Sequence, residues 1–144
     1  MTVNHAKCVL AIVGSRDVPD YQSESLVKQA ILEHDPKMIV SGGAKGVDQM
    51  AVRVAEELGI AAMEFVPEHV SWDAAPTMKN PIEQIVDYGM RVVVPGGFKI
   101  RNEKIAEACE CLVRIASQTT KTYGSGWTAD RAEQLGKRVY RHTA

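Results

Sequence analysis

The sequence predicts an α/β fold: a mainly parallel five-stranded sheet with helices on both faces, three layers in all. Three observations carry that expectation. Short apolar runs alternate with amphipathic stretches of helical length, the pattern left by successive βαβ units. Glycines and other small residues stand directly after several apolar runs and directly before the amphipathic ones, where a chain turns from strand into helix. Finally, 144 residues, 45% of them hydrophobic, fill one core and leave little for a second, so 1–144 is expected to be a single domain.

The first strand is expected over residues 7–13, and the first helix over 21–34, where Leu26, Val27, Ala30 and Ile31 share a face opposite Lys28 and Glu33. Asp35-Pro36 ends that helix, because a residue before proline avoids the α region. A second strand over 37–41 leads to a helix over 47–58, with Met50, Ala51, Val54, Ala55 and Leu58 on its buried stripe and Gly59 as its C-cap. The third strand is expected over 61–66. Residues 67–98 hold four of the six prolines and the pair Gly96-Gly97, and read as a long excursion over the strand ends. Within it a short helix is expected near 82–87, and Val92-Val93-Val94 is a candidate extra strand. A helix over 101–110 turns Ile105, Ala108 and Cys109 inward, a strand follows over 111–115, then a helix over 128–135 and a last strand over 138–141.

Seventeen Lys and Arg against eighteen Asp and Glu give a net charge of −1, so no bulk positive field draws the chain to nucleic acid or to an anionic membrane. Nucleic acid is therefore not the expected partner. The longest apolar runs are of strand length, short of the roughly 20 residues that cross a bilayer, and the N-terminal run enters Gly14-Ser15-Arg16 rather than a cleavage site, so neither a membrane span nor a signal peptide is expected. Three cysteines, Cys8, Cys109 and Cys111, favour reduced thiols and a cytoplasmic location, with Cys8 and one of the others in the core. Neither the Cys109-x-Cys111 spacing nor the four histidines have the arrangement of a metal site, and no metal or cofactor is expected.

In a parallel sheet the ligand crevice lies beyond the C-terminal strand ends. Four junctions there are unusual. The first is Gly14-Ser15-Arg16, a turn glycine, a hydroxyl and a guanidinium suited to phosphate. The second, Ser41-Gly42-Gly43-Ala44-Lys45-Gly46-Val47-Asp48, runs straight into a helix and can gather backbone N–H groups into an anion cradle. It imitates a dinucleotide fingerprint with serine at the first glycine, with Glu64 near the place of a ribose-binding acid; Asp48 either complements the helix dipole or contacts a ligand hydroxyl. The third opens a helix at Gly97 with Arg101 and Asn102, and the fourth places Gly124, Ser125 and Thr128 before the last helix.

The ordered set AIVGSRDVPD, IVSGGAKGVDQMAVRVAEELGI, GFKIRNEKIAEACECLV and TYGSGWTADRAEQLGKRV resembles the SLOG superfamily of Rossmann-like nucleotide-binding proteins, in its small single-domain branch related to YspA and cpYpsA. The first two segments also resemble the core of the DNA-processing protein DprA. The resemblance implies a Rossmann-like fold and a nucleotide or nucleotide-derived ligand held by Gly14, Ser15, Arg16, Ser41, Gly42, Gly43, Ala44, Lys45, Gly46, Val47, Asp48, Arg101, Asn102, Gly124, Ser125 and Thr128. It also implies homo-oligomers, with Trp72, Phe98 and the excursion as candidate contacts. The related "Lonely guy" phosphoribohydrolases use a PGG-x-GT-x-x-E segment whose glutamate is the catalytic acid. With Gly124-Ser125 on the GT pair, Thr128 stands at the glutamate's place, and Pro95-Gly96-Gly97 only imitates the start of the segment. Asp130 and Glu133 lie off the face marked as buried by Ala129, Ala132 and Leu135. The resulting order of expectation is a sensor or carrier, then a nucleotide hydrolase, then a DprA-like single-stranded DNA module; which residues would catalyse, and whether any do, is left open.

Overall fold

The computed structural model describes residues 7–117 and 123–144. Its strands and helices run β1 (Val9–Gly14), α1 (Asp20–His34), β2 (Met38–Ser41), α2 (Val47–Glu57), β3 (Ala61–Pro67), β4 (Ile82–Val86), β5 (Gly89–Val94), α3 (Phe98–Ala108), β6 (Cys111–Ala116), α4 (Tyr123–Gln134) and β7 (Arg138–Thr143). One sheet has the order β4-β5-β3-β2-β1-β6-β7, and only β4 runs antiparallel to its neighbour. The fold class is as expected, but the sheet has seven strands rather than five.

The two additional strands come from the excursion. Residues 82–87 do not form a helix: Ile82–Val86 is strand β4, which turns at Asp87-Tyr88 and pairs back onto β5, from Ile82 beside Val93 to Val86 beside Gly89. Ile82, Ile85 and Val86 are β-branched, and pairing with a neighbouring strand decides a run too short to hold a helix by itself. Val92-Val93-Val94 does belong to a strand, β5, which lies parallel to β3.

Alternation along β1 sets the layers. Leu10 and Ile12 pack under α1 and α2 with Val27, Ile31, Val47 and Val54, while Ala11 and Val13 face α3 and α4 with Ile105, Ala129 and Ala132. The C-terminal ends of α2, α3 and α4 are looser than expected, for Leu58, Ala108 and Leu135 are exposed. Helix α1 closes with Asp35 at φ 43, a left-handed position that aspartate tolerates, and Pro36 then leads to β2. Helix α2 is capped by Leu58, with Gly59 one residue beyond at φ 72. Helix α3 starts three residues earlier than expected and α4 five, so Gly124 and Ser125 lie inside the first turn of α4 rather than in a loop before it; Thr122 of that stretch lies outside the described residues.

The order of strands reverses at β1, whose neighbours are β2 on one side and β6 on the other. That switch point opens a crevice beyond the C-terminal ends of β1 and β6. No helix among the described residues is long and apolar enough to cross a membrane.

Candidate functional site

A cavity of about 430 Å³ occupies this crevice, within the usual range of ligand sites. The turn after β1 supplies Gly14, Ser15, Arg16 and Asp17; the β2–α2 loop supplies Ala44 and Asp48; α3 supplies Arg101 and Asn102; and the first turns of α4 supply Gly124, Ser125 and Thr128. Thus ten of the sixteen residues expected at the site line one cavity.

The other six lie outside its lining. Ser41 is fully buried and its hydroxyl donates to the carbonyls of Ile12 (3.0 Å) and Asp48 (3.3 Å), locking β2 to β1 and to the start of α2. Val47 belongs to the core and Lys45 is exposed. Gly46, at φ 86, lies against the first turn so closely that a Cβ there would stand 2.6 Å from the Ser15 carbonyl oxygen. A Cβ at Gly42 would stand 2.8 Å from Asp48 Oδ2 and 3.1 Å from Arg101 Nη1, so that glycine lets the acid and the guanidinium approach. Gly43 packs on the Glu64 side chain. Glu64 itself is away from the cavity: its carboxylate accepts from the Tyr88 hydroxyl (2.8 Å) and Arg91 Nε (2.7 Å), so it ties β3 to β5 instead of binding a ribose.

Asp48 and Arg101 form the electrostatic centre. Burial pushes the Asp48 carboxyl up to about 6, against the pull of Arg101, the Gly14 and Ala44 N–H groups and Arg16. The Gly14 N–H donates to its Oδ1 at 3.1 Å. Arg101 is buried, and that burial lowers its pKa while Asp48 opposes the shift. Its Nε donates to Asn102 Oδ1 (2.8 Å) and its Nη1 to the carbonyls of Gly42 (2.6 Å) and Phe65 (3.2 Å). Nη2 has no hydrogen-bond acceptor among the described residues. Thr128 is buried, and its hydroxyl donates to the Gly124 carbonyl at 2.8 Å. Asp130 and Glu133 both pair with Arg141 of β7, away from the cavity.

Five lining residues were not foreseen as such: Val13, Asp17, Trp72, Phe98 and Ile105. Val13 and Ile105 look like ordinary core positions in the sequence, whereas Trp72 depends on the path of the excursion, which no local pattern specifies. Residues 68–77 form a strap stitched to the start of α3. The N–H groups of Gly97, Phe98 and Lys99 donate to the carbonyls of Ala74, Ser71 and Trp72 at 3.1, 2.8 and 2.8 Å. Pro95-Gly96-Gly97 therefore meets the strap, and the third junction contributes side chains rather than a backbone cradle.

All three cysteines are free; Cys109 and Cys111 are buried and Cys8 is half-buried, with 3.1 Å between the sulfurs of Cys8 and Cys111. Among the described residues no cluster of three or more His, Cys, Asp or Glu side chains is placed to hold a metal.

The fold is shared with solved structures. DNA processing protein A (DprA) of Streptococcus pneumoniae aligns at 26% identity and a TM-score of 0.67 over 94% of this chain and 50% of that one. The molybdenum cofactor carrier protein of Chlamydomonas reinhardtii aligns at 21% identity and the same TM-score, covering 96% of this chain and 79% of the other. DprA of Helicobacter pylori, described for its single-stranded DNA binding mode, aligns at 18% identity and a TM-score of 0.58, covering 92% and 63%. The chain thus spans half the length of the pneumococcal protein. No curated protein sequence matches it. The family model for DNA recombination-mediator protein A matches residues 1–143, and with the Rossmann-like sheet and its glycine-rich strand ends this places the chain in that family, within the SLOG superfamily.

Proposed function

We infer that the chain binds a nucleotide or nucleotide-derived small molecule in the crevice beside β1 and acts as a sensor or carrier of it. The observation that carries this reading is Arg101. Arg101 is a buried guanidinium at the wall of the cavity whose Nη2 meets no acceptor among the described residues; such a group is costly unless an anion completes it, and a phosphate suits that fork. Arg16, exposed at the same cavity, is the second cation, and Asp48 lies where a ligand hydroxyl would donate to it. The kinship in fold with a cofactor carrier is in keeping with the carrier form of the reading. Native mass spectrometry of freshly purified protein tests it, the expected result being a co-purifying nucleotide-sized mass released on denaturation. Titration with nucleoside monophosphates and NAD derivatives that shows no binding overturns it. Self-association, read from the same spectrum, and a cytoplasmic site of action belong to the same proposal.

Hydrolysis of such a ligand is the alternative. Thr128 offers no proton donor of suitable pKa, being a neutral alcohol whose hydroxyl donates to the Gly124 carbonyl, and Asp48 is the buried carboxyl that would have to serve. Release of base or ribose phosphate at catalytic turnover replaces the binder reading with this one. Single-stranded DNA is favoured by the family itself, which includes a protein known for binding it. Fluorescence anisotropy with a labelled oligonucleotide across a salt series distinguishes it, because phosphate contacts give a steep salt dependence.

A further inference from the structure

The cavity has two kinds of wall. Arg16, Asp48 and Arg101 are charged, whereas Trp72, Phe98 and Ile105 are apolar. A bare anion or a sugar phosphate would leave that apolar side in contact with water. The Trp72 side of the wall is held in place from several directions. Glu68, at the base of the strap, accepts hydrogen bonds from the N–H groups of Thr77 and Gly96 at 3.0 Å and from the Thr77 hydroxyl at 2.8 Å. The Trp72 carbonyl caps Lys99, and its ring meets Trp127 edge-on, with centroids 5.7 Å apart and planes at 83°. Its backbone is therefore held and its ring is packed against Trp127, while 37% of the residue remains accessible. A rigid aromatic with an open surface beside an anion site is a stacking platform. Arg101 stands at the seam of the two walls, its guanidinium carbon 5.3 Å from the centre of the Phe98 ring.

We propose that Trp72 is a specificity-determining residue that stacks on a planar heterocycle of the ligand, so that this chain selects a molecule joining a ring to a phosphate over a sugar phosphate. The proposal rests on the nucleotide reading above and goes further by assigning the ring to one wall. Removing an aromatic on which a base stacks is expected to weaken binding about tenfold.

Calorimetric titration of the full chain and of Trp72→Ala, Trp72→Phe and Trp127→Phe, with the four ribonucleoside monophosphates and with ribose 5-phosphate, tests this. The wild type is expected to bind its preferred monophosphate at least tenfold more tightly than ribose 5-phosphate. Trp72→Ala should lose that margin with ribose 5-phosphate affinity within twofold of wild type, and Trp72→Phe should restore most of it. Because the chain has only two tryptophans, fluorescence gives an independent readout: nucleotide should quench Trp127→Phe but little of Trp72→Phe. Equal affinity of the wild type for both ligand classes, or an equal loss for both in Trp72→Ala, overturns the stacking role while the nucleotide reading stands. Failure of the wild type to bind any of these ligands, and NAD in the same titration, overturns the nucleotide reading and this one with it.

Discussion

Helices α2 and α3 both begin directly after glycines at the same edge of the sheet, yet the N–H groups of the chain leading into them are disposed differently. At α3 the N–H groups of Gly97, Phe98 and Lys99 are taken up by carbonyls of the strap. At α2 the Val47 N–H is taken up by the Ser15 carbonyl at 3.4 Å, but among the described residues the N–H groups of Gly43, Lys45 and Gly46 in the loop before it meet no backbone carbonyl, and that of Ala44 is drawn to Asp48. A glycine before a helix thus marks a possible cradle, and the path of distant chain decides whether it stays open. The α3 end contributes through a side chain instead, because Arg101, one turn in, reaches across to the Gly42 carbonyl of the α2 loop.

Cutting that link should have the largest effect. Arg101→Ala orphans the carbonyls of Gly42 and Phe65 and removes the buried cation. With about 1–3 kcal/mol for each buried group left unsatisfied, a stability loss of about 2–4 kcal/mol is expected by urea denaturation, together with loss of nucleotide binding of a hundredfold or more. Unchanged affinity would place the anion elsewhere. Arg16→Ala sharpens the contrast: its side chain is exposed, so about tenfold weaker binding should come with an almost unchanged melting temperature.

The pH response separates the two ends further. The Asp48 carboxyl is raised from 3.8 to about 6, so the folded state holds its proton more firmly than the unfolded one. Its contribution to stability is therefore complete below about 3.8 and is lost as the pH rises through about 6, an effect of about 3 kcal/mol. Asp48→Asn should flatten stability measured across that window. Protonation also removes a negative charge beside Arg101 and Arg16, so a phosphodiester such as NAD, whose phosphates keep their charge here, should bind more tightly at pH 5 than at pH 7 in the wild type only. A monophosphate would confuse the measurement, since its own second ionisation falls near pH 6.

The parts of the molecule legible in its sequence are those fixed by local pattern. The alternation in β1 and the spacing of Val27, Ala30 and Ile31 determine which faces are buried, and the glycine-rich turns follow from strand ends in a parallel sheet. Arg16, Asp48 and Arg101 were legible because each stands at a turn from a strand end into a helix, where an open parallel sheet gathers its crevice. What stayed hidden depends on contacts between distant segments. Ile82–Val86 becomes a strand through β5, Glu64 is claimed by Tyr88 and Arg91, and Trp72 reaches the cavity through hydrogen bonds to residues more than twenty positions away.

The smallest effect is expected at the strap, where Glu68 can be tested against the open end of α2. Partial burial pushes its carboxyl up, but the hydrogen bonds from the Thr77 and Gly96 N–H groups, the Thr77 hydroxyl and the Met78 N–H outweigh that and bring it down to about 2 from 4.5. The folded state thus favours the charged form, and the strap's contribution is present above about pH 4.5 and lost as the pH falls through about 2. Glu68→Gln keeps one acceptor oxygen and gives up the charge, so at neutral pH hydrogen exchange should quicken at Gly97, Phe98 and Lys99, whose N–H groups the strap caps, and remain unchanged at Gln49 and Met50 in α2. The melting temperature should fall only slightly, because the strap lies at the rim of the fold. Exchange that stays slow at all three α3 positions would show that the strap holds without Glu68, and that the closed end of α3 owes nothing to this carboxylate.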